Sequence, residues 1–322
     1  MKAIEYAQYG SPEVFRLNEV ATPVPGPEEV LVRVFASTVT AADIMMREGK
    51  PVIGRLYLGV KKPKKTILGF DFAGEIVALG NQVTTFRVGD RVFGGTTALG
   101  CYAEYVCVNV ADVITTMPEN ITFEAAAPVS GSAITVLNFL KGKAAIQKNQ
   151  KVLINGASGA LGTYAVQYAK QVGAEVTGVC STGNVAMVRS LGADHVIDYT
   201  QTDFTQNGKQ YDIIFDTVGK RSFSACKNSL TQNGIYLSSV IDFSLLWHMI
   251  RTSLSGGKKA MSSSTGLLPA KQRLAYLTEL KALLETGKIK TVLDQQYPLA
   301  QMEAAHTYVE KGHKKGNVVV AI

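Results

Sequence analysis

The stretch Lys151-Val152-Leu153-Ile154-Asn155-Gly156-Ala157-Ser158-Gly159-Ala160-Leu161-Gly162 decides how this chain folds. Lys151–Ile154 is a β-branched run, and a helix-like stretch from Leu161 to Val172 follows the glycines. A strand that turns sharply into a helix points backbone N–H groups and the positive end of the helix dipole at an anion, and a dinucleotide pyrophosphate is the anion such a turn takes. Gly159 lets the backbone approach a phosphate closely, and Gly162 lets the helix pack on the strand. The pattern departs from Gly-x-Gly-x-x-Gly at its first position, which is Ala157, although Gly156 precedes it. Ala157, Ser158, Gly159, Ala160, Leu161 and Gly162 are the candidate cofactor-binding residues of this turn. The plainer reading, a close-packed strand–helix corner, is disfavoured by the alternation around it.

Downstream, apolar strands alternate with helical stretches. Glu175–Val179, His195–Tyr199, Tyr211–Phe215 and Gly234–Leu237 read as strands, with a helix from Val185 to Leu191. Such alternation predicts a parallel sheet wrapped by helices. Leu274, Leu277, Leu280 and Leu284 share a helical face that Gly287 is placed to cap. Upstream of Pro118 the texture is different. Glu29–Ala36 and Gly74–Leu79 are β-branched runs, and Gly89-Asp90 is a turn signal between Phe86–Val88 and Arg91–Phe93. Short strands at this spacing predict a compact antiparallel barrel or sandwich. Gly316–Ile322 returns to that texture. The expected architecture is α/β: a barrel domain from residues 1–120 and 290–322, and a Rossmann-type, doubly wound parallel-sheet domain over 121–289.

The chain has 322 residues, of which 46% are hydrophobic and 18% charged, enough for two domains whose cores need no disulfide or metal staple. Its net charge of +7 is scattered apart from Lys61-Lys62-Pro63-Lys64-Lys65, and no aromatic residues interleave that run. A solvated loop is expected there, not a nucleic-acid site. Cys101, Cys107, Cys180 and Cys226 are widely spread and form no Cys-x-x-Cys pair, which argues against a disulfide scaffold and a four-thiolate zinc lobe. The N-terminus reads at once as a strand without a signal peptide, and no apolar run reaches the roughly 20 residues that span a bilayer. A cytoplasmic protein without membrane insertion is expected.

Cofactor preference is read at the end of the second strand of the parallel sheet, where a carboxylate would hold the ribose 2′-hydroxyl of NAD. This chain has Cys180-Ser181-Thr182-Gly183-Asn184 and no acid. Small hydroxyls donate to a 2′-phosphate that a carboxylate would repel, so NADP(H) is the expected cofactor, with Ser181 and Thr182 at that position.

These features, together with Gly69-Phe70-Asp71-Phe72-Ala73-Gly74-Glu75, Val88-Gly89-Asp90-Arg91-Val92-Phe93-Gly94, Tyr102-Ala103-Glu104-Tyr105 and Leu191-Gly192-Ala193-Asp194, resemble the medium-chain dehydrogenase/reductase superfamily, in its zinc-free quinone oxidoreductase branch. The likeness covers essentially the whole chain. It implies a chaperonin-10-like barrel, an inserted nucleotide-binding domain and a cofactor cleft between them. The zinc-dependent relatives carry a catalytic Cys in the segment matching Val39–Asp43, and Gly-His-Glu where this chain has Gly69-Phe70-Asp71. Without that thiol and imidazole, no metal is expected. Residue by residue, the resemblance implies Thr40 and Thr135 near the nicotinamide, Tyr199 and Asn184 near the 2′-phosphate, and Gly219 and Ser239 at strand ends lining the cofactor. Asn317 replaces a frequent Lys that reaches the phosphates, and Asn184 likewise stands where many relatives have Lys. Thr135 read by itself is equally a helix-internal hydroxyl, and Asp43 equally a helix cap.

The expected activity is hydride transfer from NADPH to a small quinone or α,β-unsaturated carbonyl. Without a Lewis acid the carbonyl must be polarised by hydroxyls, N–H groups or water, and quinones and enones accept hydride more readily than simple ketones. Thr40 and Asp43 are the candidate catalytic residues. The alternatives are an NADPH-binding regulatory or structural protein without turnover and an alcohol dehydrogenase. A homodimer is expected; the resemblance implies pairing through an edge strand of the nucleotide domain, for which Lys258–Ser264 is the candidate.

Overall fold

In the computed structural model all 322 residues are described, apart from the side chains of Ile53 and Tyr57. The chain divides into two compact units: Met1–Gly131 with Pro269–Gly287 and Thr291–Ile322, and Ser132–Leu268 with Lys288–Lys290.

The first unit is built on strands β1 (Lys2–Tyr6), β2 (Phe15–Glu19), β3 (Glu29–Thr38), β4 (Asp71–Leu79), β5 (Arg91–Gly95), β6 (Tyr105–Asn109) and β7 (Val113–Thr116), joined late in the chain by β14 (Leu293–Pro298) and β15 (Asn317–Ala321). A seven-stranded sheet runs in the order β14-β15-β3-β4-β5-β7, and β6 pairs with β3. The ten-residue β3 organises it. Glu29–Arg33 pair with β6, Ala36–Thr38 pair with β15, and β4 runs along the other side. Register shifts between Leu31 and Val32 and between Val34 and Ala36 twist the strand enough to serve three partners. Alternation along β3 sends Val30, Val32 and Val34 into an apolar core with Phe72, Ile76, Val92 and Val106.

Helices α1 (Ala41–Glu48), α5 (Ala270–Glu285) and α6 (Met302–Glu310) complete this unit. Arg47 on α1 is fully buried and donates to Gly10 O, to Glu310 and to His306 Nδ1, both on α6, which anchors the helix that carries Asp43. Burial, helped by the Arg47 charge, holds the His306 imidazole down to about 3. The alternation in sequence places α5 with the parallel-sheet domain, whereas it falls to the first unit. Lys281 Nζ donates to Thr116 Oγ1, and Asn120 Nδ2 donates to the Leu284 and Glu285 carbonyls at the helix end. Phe86–Val88 forms no strand, because Asp90 accepts from Arg87 N and closes a turn instead.

The second unit is a six-stranded sheet of β8 (Lys151–Asn155), β9 (Glu175–Cys180), β10 (His195–Asp198), β11 (Tyr211–Asp216), β12 (Leu230–Ser238) and β13 (Lys259–Met261), in the order β10-β9-β8-β11-β12-β13. Every pairing in it is parallel. Strand order reverses between β8 and β11, the switch point at which α/β sheets bind ligands. Helices α2 (Ala160–Val172), α3 (Val185–Ser190) and α4 (Phe243–Ser253) belong to it. One feature is not legible as an apolar run. The continuous helical segment Phe123–Lys143 has 21 residues and a mean hydropathy of 1.2, long and apolar enough by composition to cross a bilayer, but 67% of that window is buried inside the structure, as in a core helix.

Candidate active site

In the second unit the glycine turn closes β8 and opens α2. Gly156 sits at φ +82°, in the left-handed region, and its N–H and that of Ala157 both donate to Val179 O on the neighbouring strand. The tight-turn role therefore falls to Gly156, one residue before the fingerprint position. A Cβ on Gly162 would lie 2.1 Å from Gly156 O and 2.7 Å from the Ala157 backbone, so only glycine lets the helix come this close. Gly159 is different. It is the N-cap of α2 at φ −83°, ψ −179°, a conformation open to any residue, and an added Cβ would meet only Gly156 O at 3.5 Å. Nothing inside the protein requires glycine there. No side chain caps α2 either, so the amides of its first turn point outward past a glycine that leaves the approach open. That cradle fits an anion.

Apart from Thr135, the other predicted positions of this unit lie in the loops after these parallel strands. Asn184, buried, donates through Nδ2 to Ser158 Oγ at 3.2 Å and to Ser181 Oγ at 3.0 Å, tying the glycine turn to the loop after β9. Its Oδ1 is buried without a partner. Tyr199 is exposed, and its N–H donates to Cys180 O. Gly219 and Ser239 follow β11 and β12, both organised by Asp216, which accepts from Gly219 N at 3.0 Å while its carbonyl accepts from Ser239 N. Thr135 lies in the helix Ser132–Leu137.

Two residues that matter here escape a reading by sequence distance. Asp216 is buried and also accepts from Asn155 Nδ2, Val218 N and Arg221 N, so one carboxylate holds the loop beside the glycine turn. Asp198, at the end of β10, accepts from Thr182 Oγ1 at 2.6 Å and from Thr200. Those hydroxyl bonds hold its carboxyl below the usual range. The second strand ends without an acid, but the third brings one to it. Parallel pairing of Asp198 with Cys180 was the signal available, once strand order is known.

In the first unit, Thr40 is the N-cap of α1 in a capping box. Asp43 N donates to Thr40 Oγ1, and Asp43 Oδ2 accepts from Thr40 N at 2.9 Å and from Thr40 Oγ1 at 2.5 Å. Asp43 is fully buried with Oδ1 unpartnered. Burial pushes its carboxyl up to about 6, against the hydrogen bonds from Thr40. A second buried carboxyl, Asp71, starts β4. It accepts from Ser130 Oγ at 2.7 Å and Thr38 Oγ1 at 2.8 Å, and burial, with the Asp43 charge adding, pushes it up to about 7. Tyr102 donates to Thr38 O at 3.0 Å. The unit therefore holds two carboxyls that titrate near neutrality, dressed by hydroxyls.

Residues 26–119 match the alcohol dehydrogenase GroES-like domain, and residues 191–320 match a family described as zinc-binding dehydrogenase. The chain is 30% identical to the chloroplast envelope quinone oxidoreductase homolog of Arabidopsis thaliana, over 99% of this chain and 98% of that one. It is 28% identical to the 2-methylene-furan-3-one reductase of Solanum lycopersicum, over 99% of this chain and 79% of that one. Its fold is similar to that of Escherichia coli quinone oxidoreductase solved with NADPH, with a TM-score of 0.85 at 25% identity over the full length of both. The chain belongs to the medium-chain dehydrogenase/reductase superfamily, in its quinone oxidoreductase branch.

The zinc chemistry of other medium-chain dehydrogenases does not fit the residues present. Neither Val39–Asp43 nor Gly69-Phe70-Asp71 offers a thiol or an imidazole, and Asp71 accepts from Thr38 and Ser130 hydroxyls. Among the described residues no group of three or more His, Cys, Asp or Glu side chains could hold a metal. Asn317 lies in the first unit, buried at the start of β15, and its Nδ2 donates to Val292 O at 3.2 Å, which ties it to the β14–β15 register.

Proposed function

We propose that this medium-chain oxidoreductase takes hydride from NADPH and passes it to a small quinone or conjugated enone without a metal. The observation that carries the reading is Gly159: a glycine that the protein's own packing and backbone do not require, standing at the uncapped end of α2. When bound, the reduced nicotinamide supplies the hydride. The amides of the first turn of α2, Ala160 to Gly162, hold the pyrophosphate, with Ala157, Ser158 and Gly159 shaping the turn beneath it and Gly219 and Ser239 along the cofactor. Ser181, Thr182, Asn184 and Tyr199 border the adenosine ribose, and Thr135 the nicotinamide side. Asn317, which stands where many relatives have a lysine that reaches the phosphates, is placed with the cofactor-binding residues on that resemblance.

When Asp43 is protonated, its Oδ2 donates to Thr40 Oγ1 and the Thr40 hydroxyl proton turns to the acceptor oxygen; as hydride arrives, that proton passes to the oxygen, Asp43 hands its own to Thr40 and is left a carboxylate, a relay that its titration at about 6 allows. Hydroxyl donors of this strength suit quinones and enones, which need less activation than ketones. The names of the Arabidopsis and tomato relatives support those two acceptor classes, and the E. coli neighbour supports NADPH. Asp198 works against a 2′-phosphate and narrows the preference over NADH. The protein pairs with a second copy through the edge strand β13.

The deciding experiment is NADPH oxidation against a panel of quinones and enones, before and after exhaustive chelation. Turnover that survives chelation is expected. Tight NADPH binding with no acceptor consumed would make the protein a binder without turnover. Loss of activity restored by zinc would overturn the metal-free mechanism.

A further inference from the structure

Residues 311–316 join α6 to β15 and are rich in bases: Lys311, His313, Lys314 and Lys315. The path of this loop is fixed at both ends. Gly312 and Gly316 sit at φ +74° and +86°, in the left-handed region, and a Cβ on Gly316 would lie 2.4 Å from Val292 O. Between them Asp294 acts as a clamp. A register shift between Leu293 and Gln295 leaves it out of the β14–β15 ladder, and it accepts from Lys315 N at 2.8 Å and from Tyr308 OH at 2.7 Å. Lys311, His313 and Lys315 are exposed, whereas Lys314 is half-buried. β15 then runs antiparallel past the start of α1. Val319 pairs with Thr38, and Val39 N donates to Val318 O, so the end of the loop arrives beside Thr40.

Asp43 is the charge that Lys314 meets there. Its carboxyl is fully buried, and Oδ1 has no hydrogen-bond partner. The groups around it are Thr40 on its own helix, Asp71 on β4, and Cys101 and Tyr102 just before β6. All of these are neutral or acidic, and a second carboxyl disfavours the ionised form of the first. Arg47, the cation of α1 itself, is occupied by Gly10 O, His306 and Glu310. Burial draws the Lys314 ammonium down to about 8, against the Asp43 and Asp294 charges, which hold it up. Among the described residues Lys314 Nζ makes no hydrogen bond or ion pair, so its charge acts on Asp43 through space and is not committed elsewhere.

We infer that Lys314 is a positioning residue of the proton relay: its ammonium stabilises the Asp43 carboxylate that remains once Asp43 has handed its proton to Thr40, a role that rests on the hydride-transfer reading proposed above. The O–H bond of Asp43 breaks as one forms at Thr40 Oγ1, the Thr40 proton goes to the acceptor oxygen, and the acceptor takes its electron pair with the hydride. Lys314 keeps all its protons throughout. Without the ammonium, hydrogen bonds alone would have to hold a carboxylate formed away from water.

Infrared titration of the full-length protein reads Asp43 without turnover, because its protonated C=O stretch is the band missing from Asp43→Asn. In the wild type that band should titrate at about 6. Lys314→Met keeps the apolar stem and removes the charge, and the band should then titrate about one pH unit higher. Lys314→Arg should bring it back. In turnover, Lys314→Met should lower kcat about threefold at about pH 5, where Asp43 is protonated in both proteins, with the acceptor KM unchanged. The loss should close by about pH 7, because more of the variant then holds the proton. NADPH affinity should stay at the wild-type value. A wild-type titration of Asp43 in Lys314→Met would overturn the inference. So would a fall in NADPH affinity with that titration unmoved, since the ammonium would then meet a cofactor phosphate. Wild-type kcat in Asp43→Asn would overturn the relay and this role with it, whereas lost turnover in Asp43→Asn beside an unmoved titration in Lys314→Met would overturn this role alone.

Discussion

Alanine at 159 and alanine at 162 add the same methyl group to the same turn and should do opposite things. At Gly159 the backbone is at φ −83°, ψ −179°, and the new Cβ would make one ordinary contact at 3.5 Å. Stiffening the unfolded chain there contributes about 0.4–1 kcal/mol of stability. Alanine is a poorer N-cap than glycine by roughly 0.5–1 kcal/mol, so the two effects nearly cancel. The melting temperature should stay within about 2–4 °C of wild type. The methyl stands in the approach to the α2 amides, however, and NADPH affinity should fall about tenfold or more, the equivalent of about 1.4 kcal/mol. At Gly162 the Cβ would lie 2.1 Å from Gly156 O, so turn and helix must separate. Overpacking of that kind costs about 1–3 kcal/mol or more, set against about 1 kcal/mol of improved helix propensity. Gly162→Ala should therefore lower the melting temperature as well as the affinity. Thermal unfolding followed by circular dichroism, with NADPH fluorescence titration, separates the two cases. Wild-type affinity in Gly159→Ala would refute the reasoning, because the turn would then be only a packing corner.

Three further outcomes follow from the same geometry. Asp198→Asn removes the carboxylate beside Thr182 and should raise NADPH affinity relative to NADH; an unchanged ratio of dissociation constants would place the 2′-phosphate elsewhere. Asp71 is raised to about 7 and Asp43 to about 6 from an ordinary 3.8, so the folded state holds protons that the unfolded chain releases, and their contribution to stability is lost as pH rises from about 4 to about 7. His306, depressed to about 3 from 6.5, loses its contribution in the other direction as pH falls, so the test is a difference. The advantage of Asp71→Asn over wild type in urea midpoint should widen from pH 4 to pH 7, and a gap independent of pH would show that Asp71 does not titrate there. Met261→Pro deletes an N–H from the edge strand β13 and should shift the protein toward monomer on light scattering, whereas an unchanged mass would put the interface elsewhere.

Local chemistry by itself determined the parallel sheet and the glycine turn, and the resemblance to zinc-dependent relatives added where a thiol and an imidazole are missing. Each is a matter of neighbours in the chain: β-branched runs, a strand that ends in Gly-x-x-Gly-x-x-Gly, residue types at motif positions. Even within the turn, the division of labour needed coordinates, because φ at Gly156 and the space around Gly159 and Gly162 depend on where β9 and the first turn of α2 lie. The acids were the least legible. Asp198 reaches Thr182 across 16 residues, Asp71 meets Ser130 across 59, and Asp216 meets Asn155 across 61, and a chain-local reading sees none of these pairs. Only strand order and sheet register bring them together, and only burial, which the fold supplies, raises Asp43 and Asp71 into the neutral range where a carboxyl can move a proton.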